Sequence, residues 1–264
     1  MSDFSVAINY GFKLDDDERF RLVKEAGFTA VGLWNARKEN NFDTPLEVQY
    51  ELVKKYDLDV EYVHAPFNFH NHLRDMDESV RRVGIEEHKK WIDDCRKHNV
   101  DKLVIHINRI TKDEYVTDNL ITCLKEINAY AVNSGVKIAV ENIGRPDDLQ
   151  RLFDEIKDIY FCIDSSHAAL CGDSEGRILE KYIDRLVCTH FSDNDGLVDR
   201  HWVPGMGIVN FENMVDILRR HNYKGRINCE VHASDNYQNA KDLLSDIYKK
   251  MDFYFGEFDS ERKA

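Results

Sequence analysis

Eight short runs of β-forming apolar residues recur along the chain, and a segment of helical period follows each one. The runs cover residues 4–8, 30–33, 60–63, 102–105, 137–140, 160–163, 186–189 and 226–229. Strands that alternate with helices are the pattern of a parallel sheet covered by helices. The intervening segments carry start and stop signals. Residues 15–25 open with acids and end before Gly27, which suits the helix macrodipole and a glycine stop. Thr44-Pro45-Leu46-Glu47 reads as a capping box with proline at the first helical position. Residues 76–98 and 112–133 have apolar side chains every three or four positions, and Asn133-Ser134-Gly135 stops the second. Residues 146–156, 176–183, 211–221 and 238–253 complete the set, and the charged tail 257–264 is expected to fray.

This alternation predicts an α/β protein, a (β/α)8 TIM barrel in a single domain over residues 1–264. The length agrees, because such a barrel uses about 250 residues. A doubly wound sheet would instead place a glycine-rich phosphate loop after an early strand. Asn9-Tyr10-Gly11-Phe12-Lys13 follows the first run with one glycine, and neither GxGxxG nor a P-loop occurs. Hydrophobic residues make up 42% and charged residues 32%, enough for a core and a solvated shell, which excludes disorder as the main state. No apolar run approaches the ~20 residues of a membrane span. Met1-Ser2-Asp3-Phe4 has no basic or apolar leader, so a cytoplasmic location is expected. The six cysteines form no CxxC pair and are expected as reduced thiols. A net charge of -13 argues against broad binding to nucleic-acid backbones, although bound metal ions can reverse the charge locally.

Six successive runs finish in an ionisable residue: His64, His106, Glu141, Asp164, His190 and Glu230. In a barrel the C-terminal ends of all strands meet at one mouth, where catalytic groups sit. Ionisable groups gathered there are costly to leave unpaired, and imidazole and carboxylate are ligands for divalent metals. Residues two apart on a strand share a face. Two positions before the polar ends stand Tyr62, Val104, Ala139, Cys162, Cys188 and Asn228, mostly small or apolar, as a filled barrel interior requires. The polar ends are therefore expected to point inward. His167, three residues past Asp164, and the Asp199-Arg200-His201 segment add loop candidates, with Asp199 and His201 able to face one ion from a short extended segment. Taken singly, each such residue is more often structural; six on consecutive strands are not. His70, His72, His88, His98, His221 and His232 read as ordinary surface or packing histidines, and Trp34 and Trp202 as apolar walls or simple packing residues.

The segments Val63-His64-Ala65-Pro66-Phe67, Val140-Glu141-Asn142, Ile163-Asp164-Ser165-Ser166-His167-Ala168, His190-Phe191-Ser192-Asp193 and Asp199-x-His201 with Pro204-Gly205-x-Gly207 resemble the xylose isomerase-like TIM barrels. That superfamily joins sugar isomerases and epimerases with endonuclease IV, and the resemblance runs over nearly the whole chain. For the epimerases it implies one divalent ion held by Glu141, Asp164, His190 and Glu230. For endonuclease IV it implies up to three zinc ions, with His64, His106, His167, Asp199 and His201 as further ligands; all nine residues are present. Several departures separate this chain from the endonuclease pattern. Residues 191–200 form a shorter loop between His190 and His201, Asn9-Tyr10 stands where a histidine and a glycine-rich turn are usual, and Phe67 replaces a usual tyrosine. Gly196 occupies the position of a substrate-contacting arginine in characterised ketose 3-epimerases.

The resemblance implies a metal-dependent sugar or sugar-phosphate isomerase/epimerase acting by proton transfer through an enediolate. Glu141 and Glu230 would be the proton carriers and His167 would bind or polarise a substrate oxygen. One divalent ion (Mn, Mg, Co or Zn) is expected, with up to three allowed by the ligand set. The expected partner is a small-molecule sugar or sugar phosphate, with neither nucleic acid nor membrane. The alternative is an endonuclease IV-like phosphodiesterase acting on abasic DNA. A noncatalytic sugar-binding or metal-sensing barrel is a third class, disfavoured by the intact ligand set.

Overall fold

The computed structural model describes residues 3–35, 44–67, 70–107, 116–144 and 146–263. Its eight strands are β1 (Phe4–Ala7), β2 (Ala30–Trp34), β3 (Asp59–His64), β4 (Lys102–Ile105), β5 (Lys137–Glu141), β6 (Tyr160–Asp164), β7 (Leu186–His190) and β8 (Ile227–Cys229). They form one sheet in the order β7-β6-β5-β4-β3-β2-β1-β8, and every paired neighbour is parallel. The seam between β7 and β8 closes just past the strands. There the Phe191 N–H donates to the Asn228 carbonyl at 2.9 Å and the Glu230 N–H to the Phe191 carbonyl at 3.2 Å. The helices are α1 (Asp16–Ala26), α2 (Leu46–Lys55), α3 (His70–Arg74), α4 (Glu78–Lys97), α5 (Asp118–Asn133), α6 (Pro146–Glu155), α7 (Ser165–Leu170), α8 (Arg177–Lys181), α9 (Phe211–Arg220) and α10 (Ala240–Arg262). The expected (β/α)8 barrel is therefore the fold. No helix among the described residues is long and apolar enough to cross a membrane.

The acid-rich start of α1 works as the sequence suggests: the Asp15 carboxylate accepts the Asp17 N–H, and Gly27 closes the helix at φ 105. The capping box at residue 44 does not form. Thr44 Oγ1 donates to the Asp16 carboxylate at 2.5 Å, and α2 begins at Leu46 without a side-chain cap. The cap position falls on Pro45, so Thr44 stands one residue too early to cap the helix. The helix expected from residue 112 begins at Asp118, where Thr117 Oγ1 accepts the Leu120 N–H; residues 112–115 lie outside the described residues. Helices α3 and α7 escaped the sequence reading, being too short for periodicity to show. The tail does not fray as expected, because α10 continues through Arg262. Phe258 and Asp259 are buried there, and the Asp259 carboxylate takes the Asp3 N–H at 2.8 Å, Arg262 at 2.6 Å and Lys263 at 2.7 Å.

Tyr62, Val104, Ala139, Cys162 and Cys188 pack inside the barrel as a cluster of their own, the layer expected beneath the polar strand ends. Asn228 joins it, with its Nδ2 donating to the Tyr62 hydroxyl at 3.3 Å and its Oδ1 accepting from Ser5 Oγ at 2.8 Å. Gly32 on β2 makes room for Tyr62: a Cβ there would lie 2.1 Å from the ring. Gly32→Ala should destabilise the barrel by about 1–3 kcal/mol through overpacking. Denaturant unfolding measures this, and an unchanged midpoint would mean the Tyr62 ring has somewhere else to go. None of the six cysteines is in a disulfide; five are buried and Cys171 is exposed.

Candidate metal centre

The six polar strand ends meet at one mouth, and Glu141 is their hub. His64 Nε2 lies 3.2 Å and His106 Nε2 2.9 Å from its Oε2, on which His190 Nδ1 also converges at 3.2 Å. His190 Nδ1 is 2.7 Å from Glu230 Oε2 as well, and His167 Nδ1 is 2.9 Å from Glu141 Oε1. The loop carrying Asp199 closes the other side. Its carboxylate lies 3.0 Å from His201 Nε2 and 3.6 Å from His167 Nε2. Asp199 and His201 thus face a common point, but not from an extended segment. His201 sits in the left-handed region at φ 47, a strained conformation for a histidine that turns its ring inward. Three sets of candidate ligand atoms each lie within 4.8 Å of one another: His64, His106 and Glu141; Glu141, Asp164, His190 and Glu230; Asp164, His167 and His201.

The donor chemistry fits a divalent cation. His64 Nδ1–H donates to the Ala65 carbonyl at 2.7 Å, which leaves Nε2 facing the Glu141 carboxylate at 3.2 Å. His201 is built the same way, with Nδ1–H donating to the Glu230 carbonyl at 3.1 Å and Nε2 facing Asp199. A second hydrogen bond that fixes the tautomer is how ligating histidines are oriented. Glu141 Oε1, Asp164 Oδ2, His167 Nδ1 and His190 Nδ1 are buried without a hydrogen-bond partner among the described residues. Their N···O separations are short but lack hydrogen-bond alignment. Asp164 divides its labour: Oδ1 caps α7 by accepting the His167 N–H at 2.7 Å, which leaves Oδ2 for the mouth. Asn142 ties β5 to β6 through two bonds to the Asp164 backbone, at 2.8 and 2.6 Å.

Burial alone would push the Glu141 carboxyl pKa up, but His106 and His190 outweigh it and hold it well below the usual range. Glu230 is held low against burial by His190. Burial raises Asp164 to about 6, with His167 and His201 opposing. Burial would lower His201, yet Asp164 and Asp199 bring it up to about 9, while burial takes His106 down to about 4. His167 and His190 are held high by their carboxylate and thiol neighbours despite burial. Metal-free protein at neutral pH therefore carries protons on histidines that a metal would need bare. Divalent-ion binding should release protons near pH 7, and affinity should rise as the pH is raised above 7, because the His190 that would ligate the ion is held protonated without it. Calorimetry in buffers of different ionisation enthalpy checks this; a buffer-independent heat would contradict it.

Sequence reasoning missed the groups that hold the loop. The buried Asp193 carboxylate accepts four N–H groups: Asn194 at 2.8 Å, Gly205 at 2.9 Å, Gly207 at 2.8 Å and Val209 at 3.0 Å. Gly207 has no room for a Cβ, which would lie 2.2 Å from the Asn194 carbonyl oxygen. Asp193-Asn194 and Gly205-x-Gly207 were legible as a loop, though not as a clamp on Asp199 and His201. Asp193→Asn turns an amide donor toward two of those N–H groups and should cost about 2–6 kcal/mol. Thermal melting would read it, and unchanged stability would assign the loop's shape to other contacts. His232, read as ordinary, stacks on His201 at 4.6 Å and is kept neutral by burial at a pKa of about 4. Trp34 stacks on His64 at 4.3 Å and Phe67 on His106 at 4.5 Å, so an aromatic wall backs two of the imidazoles. Trp202 anchors the loop through its backbone pairing with Asp193, and Arg200 lies over its ring. His88 and His98 are packing residues as expected, His88 on the Gly84 carbonyl and His98 stacked on Tyr50.

Sequence relatives include an uncharacterized protein of Sinorhizobium fredii, 26% identical over 250 residues and matching 79% of this chain and 78% of its own. An inosose isomerase of Halalkalibacterium halodurans is 23% identical over 206 residues, 67% of this chain and 72% of its own. Among solved structures, an L-ribulose 3-epimerase superposes with a TM-score of 0.79 at 12% identity, covering 100% of this chain and 97% of that one. The xylose isomerase-like TIM barrel model matches residues 20–249. With the eight-stranded barrel and the ring of strand-end ligand candidates, that match establishes that the chain belongs to the xylose isomerase-like TIM barrel family.

Proposed function

We propose that the protein is a metal-dependent isomerase/epimerase of a sugar or sugar phosphate, working by proton transfer next to a carbonyl. The observation that carries this reading is the pair Glu141 and Glu230, whose carboxylates close on one nitrogen, His190 Nδ1, at 3.2 and 2.7 Å. Two ionised carboxylates at one point can address both faces of a carbon held between them. Glu141 removes the proton next to the carbonyl; the proton is returned to the same face by Glu141 itself, or to the opposite face by Glu230 after it has taken a proton from solvent. His167 donates to a substrate oxygen, and the wall of Trp34 and Phe67 keeps water from one side. Glu141, Asp164, His190 and Glu230 would hold a divalent ion, which when bound stabilises negative charge developing on the substrate oxygens. An inosose isomerase among the relatives and an L-ribulose 3-epimerase among the structural neighbours support this class of chemistry.

A second reading has its own observation. His64, His106, His167 and His201 complete three overlapping ligand groups, with Asp199 beside His201 and His167 at 3.0 and 3.6 Å, an arrangement able to clamp a phosphodiester. Metal analysis of protein purified without chelator separates the two. One ion for each chain supports the isomerase, with the five additional residues binding substrate or orienting the ligands. Three ions for each chain favour the phosphodiesterase.

A further inference from the structure

We propose that Cys162 Sγ, Cys188 Sγ and His190 Nε2 form a second cation site, selective for soft thiophilic ions, in the floor of the barrel mouth. This goes beyond the isomerase reading and does not depend on it. Cys162 and Cys188 are direct partners across the β6–β7 ladder, so their side chains leave adjacent strands toward the same interior. Both Sγ atoms and a ring nitrogen of His190 lie within 4.8 Å of one another. His190 turns Nδ1 to Glu141 and Glu230, while its other nitrogen, Nε2, is buried without a hydrogen-bond partner among the described residues. That nitrogen is the one left for the thiols.

The chemistry selects the ion. Two sulfurs and an imidazole suit cadmium, mercury, copper(I) or zinc, whereas magnesium and manganese prefer the oxygen-rich group above. Each thiol loses its proton to solvent as its sulfur–metal bond forms. A divalent ion on two thiolates then carries no net charge, which suits a pocket walled by Tyr62, Val104 and Ala139. Both thiols and His190 are fully buried, so the ion enters through the mouth and only after the His190 ring swings aside; binding is slow. The imidazole is shared, so an ion in the floor fixes the ring that the carboxylate group above also uses.

The test titrates cadmium into chelator-treated full-length protein in a thiol-free reductant, following the ultraviolet thiolate-to-cadmium charge-transfer band. The band should saturate at a single equivalent. It should be lost in Cys162→Ala and in Cys188→Ala, and kept in Cys171→Ala, whose thiol is the exposed one. Glu141→Gln should keep it too, because the oxygen ligands are not part of the floor. Cadmium-113 NMR on the unaltered protein gives a readout independent of whether the variants fold: the shift expected is that of a mixed sulfur and nitrogen site. A band that survives removal of either cysteine overturns the proposal. So does cadmium that binds the unaltered protein with an all-oxygen and nitrogen shift and no charge-transfer band.

Discussion

Glu141→Gln should abolish turnover, by about 10³-fold or more, while the barrel remains folded. The amide keeps the shape of the side chain and one acceptor oxygen, but loses the negative charge and the capacity to carry a proton. Three imidazole nitrogens approach a single oxygen of this carboxylate, those of His64, His106 and His190. The substitution therefore weakens any ion held there as well as the proton transfer. Glu230→Gln should act in the same direction, since its carboxylate is the other partner of His190 Nδ1. Chelation should abolish the activity of the unaltered enzyme, and a divalent ion should restore it. Far-ultraviolet dichroism and a cooperative melt serve as the fold control. Full turnover by metal-free protein would sink the mechanism, and so would an active Glu141→Gln variant.

Much of this site was legible because a parallel barrel converts a one-dimensional feature into a three-dimensional one. A residue at the end of a strand is automatically at the mouth, so His64, His106, Glu141, Asp164, His190 and Glu230 could be placed without knowing a single contact. Strand parity did the same for Tyr62, Val104, Ala139, Cys162 and Cys188 one layer below. The illegible part follows from the same physics. Asp193 acts through four backbone N–H groups gathered from a loop of irregular dihedral angles, and no period in the sequence encodes such a turn. His201 needs φ 47 to aim inward, so the D-x-H spacing suggested the wrong backbone while naming the right side chains. His232 reaches His201 because the chain just past β8 runs beside the loop after β7, a proximity set by barrel closure. The tail was misread for a related reason: its charges looked solvated in the sequence, yet Asp259 has partners some 250 residues away in the chain as well as next to it.

Metal-loaded protein should exchange solvent deuterium into a carbon next to the carbonyl of some ketose, aldose or their phosphates, and should not efficiently nick DNA at an abasic site. Enediolate chemistry opens that carbon to solvent whenever a carboxylate carries the proton, so exchange is expected even if net conversion is slow. Three features set DNA lower. The chain carries a net charge of -13, which opposes a polyanion wherever bound cations do not dominate. The loop between His190 and His201 is short, and its Arg200 is paired with Asp195 at 3.0 Å, which offsets its charge toward a polyanion. Phe67 faces the mouth with no hydroxyl to offer a phosphate, stacked on His106. The two assays belong on one sample: NMR detection of deuterium across a sugar panel, and cleavage of an oligonucleotide with a single abasic site. Robust nicking without any sugar exchange would reverse the ranking and assign His64, His106, His167, Asp199 and His201 to a trinuclear centre. Exchange without nicking would leave those five to bind substrate and orient the ligands around one ion. A polyhydroxylated substrate needs hydrogen-bond partners at many points, which imidazoles supply as donors or acceptors and the Asp199 carboxylate as an acceptor, without a metal on each.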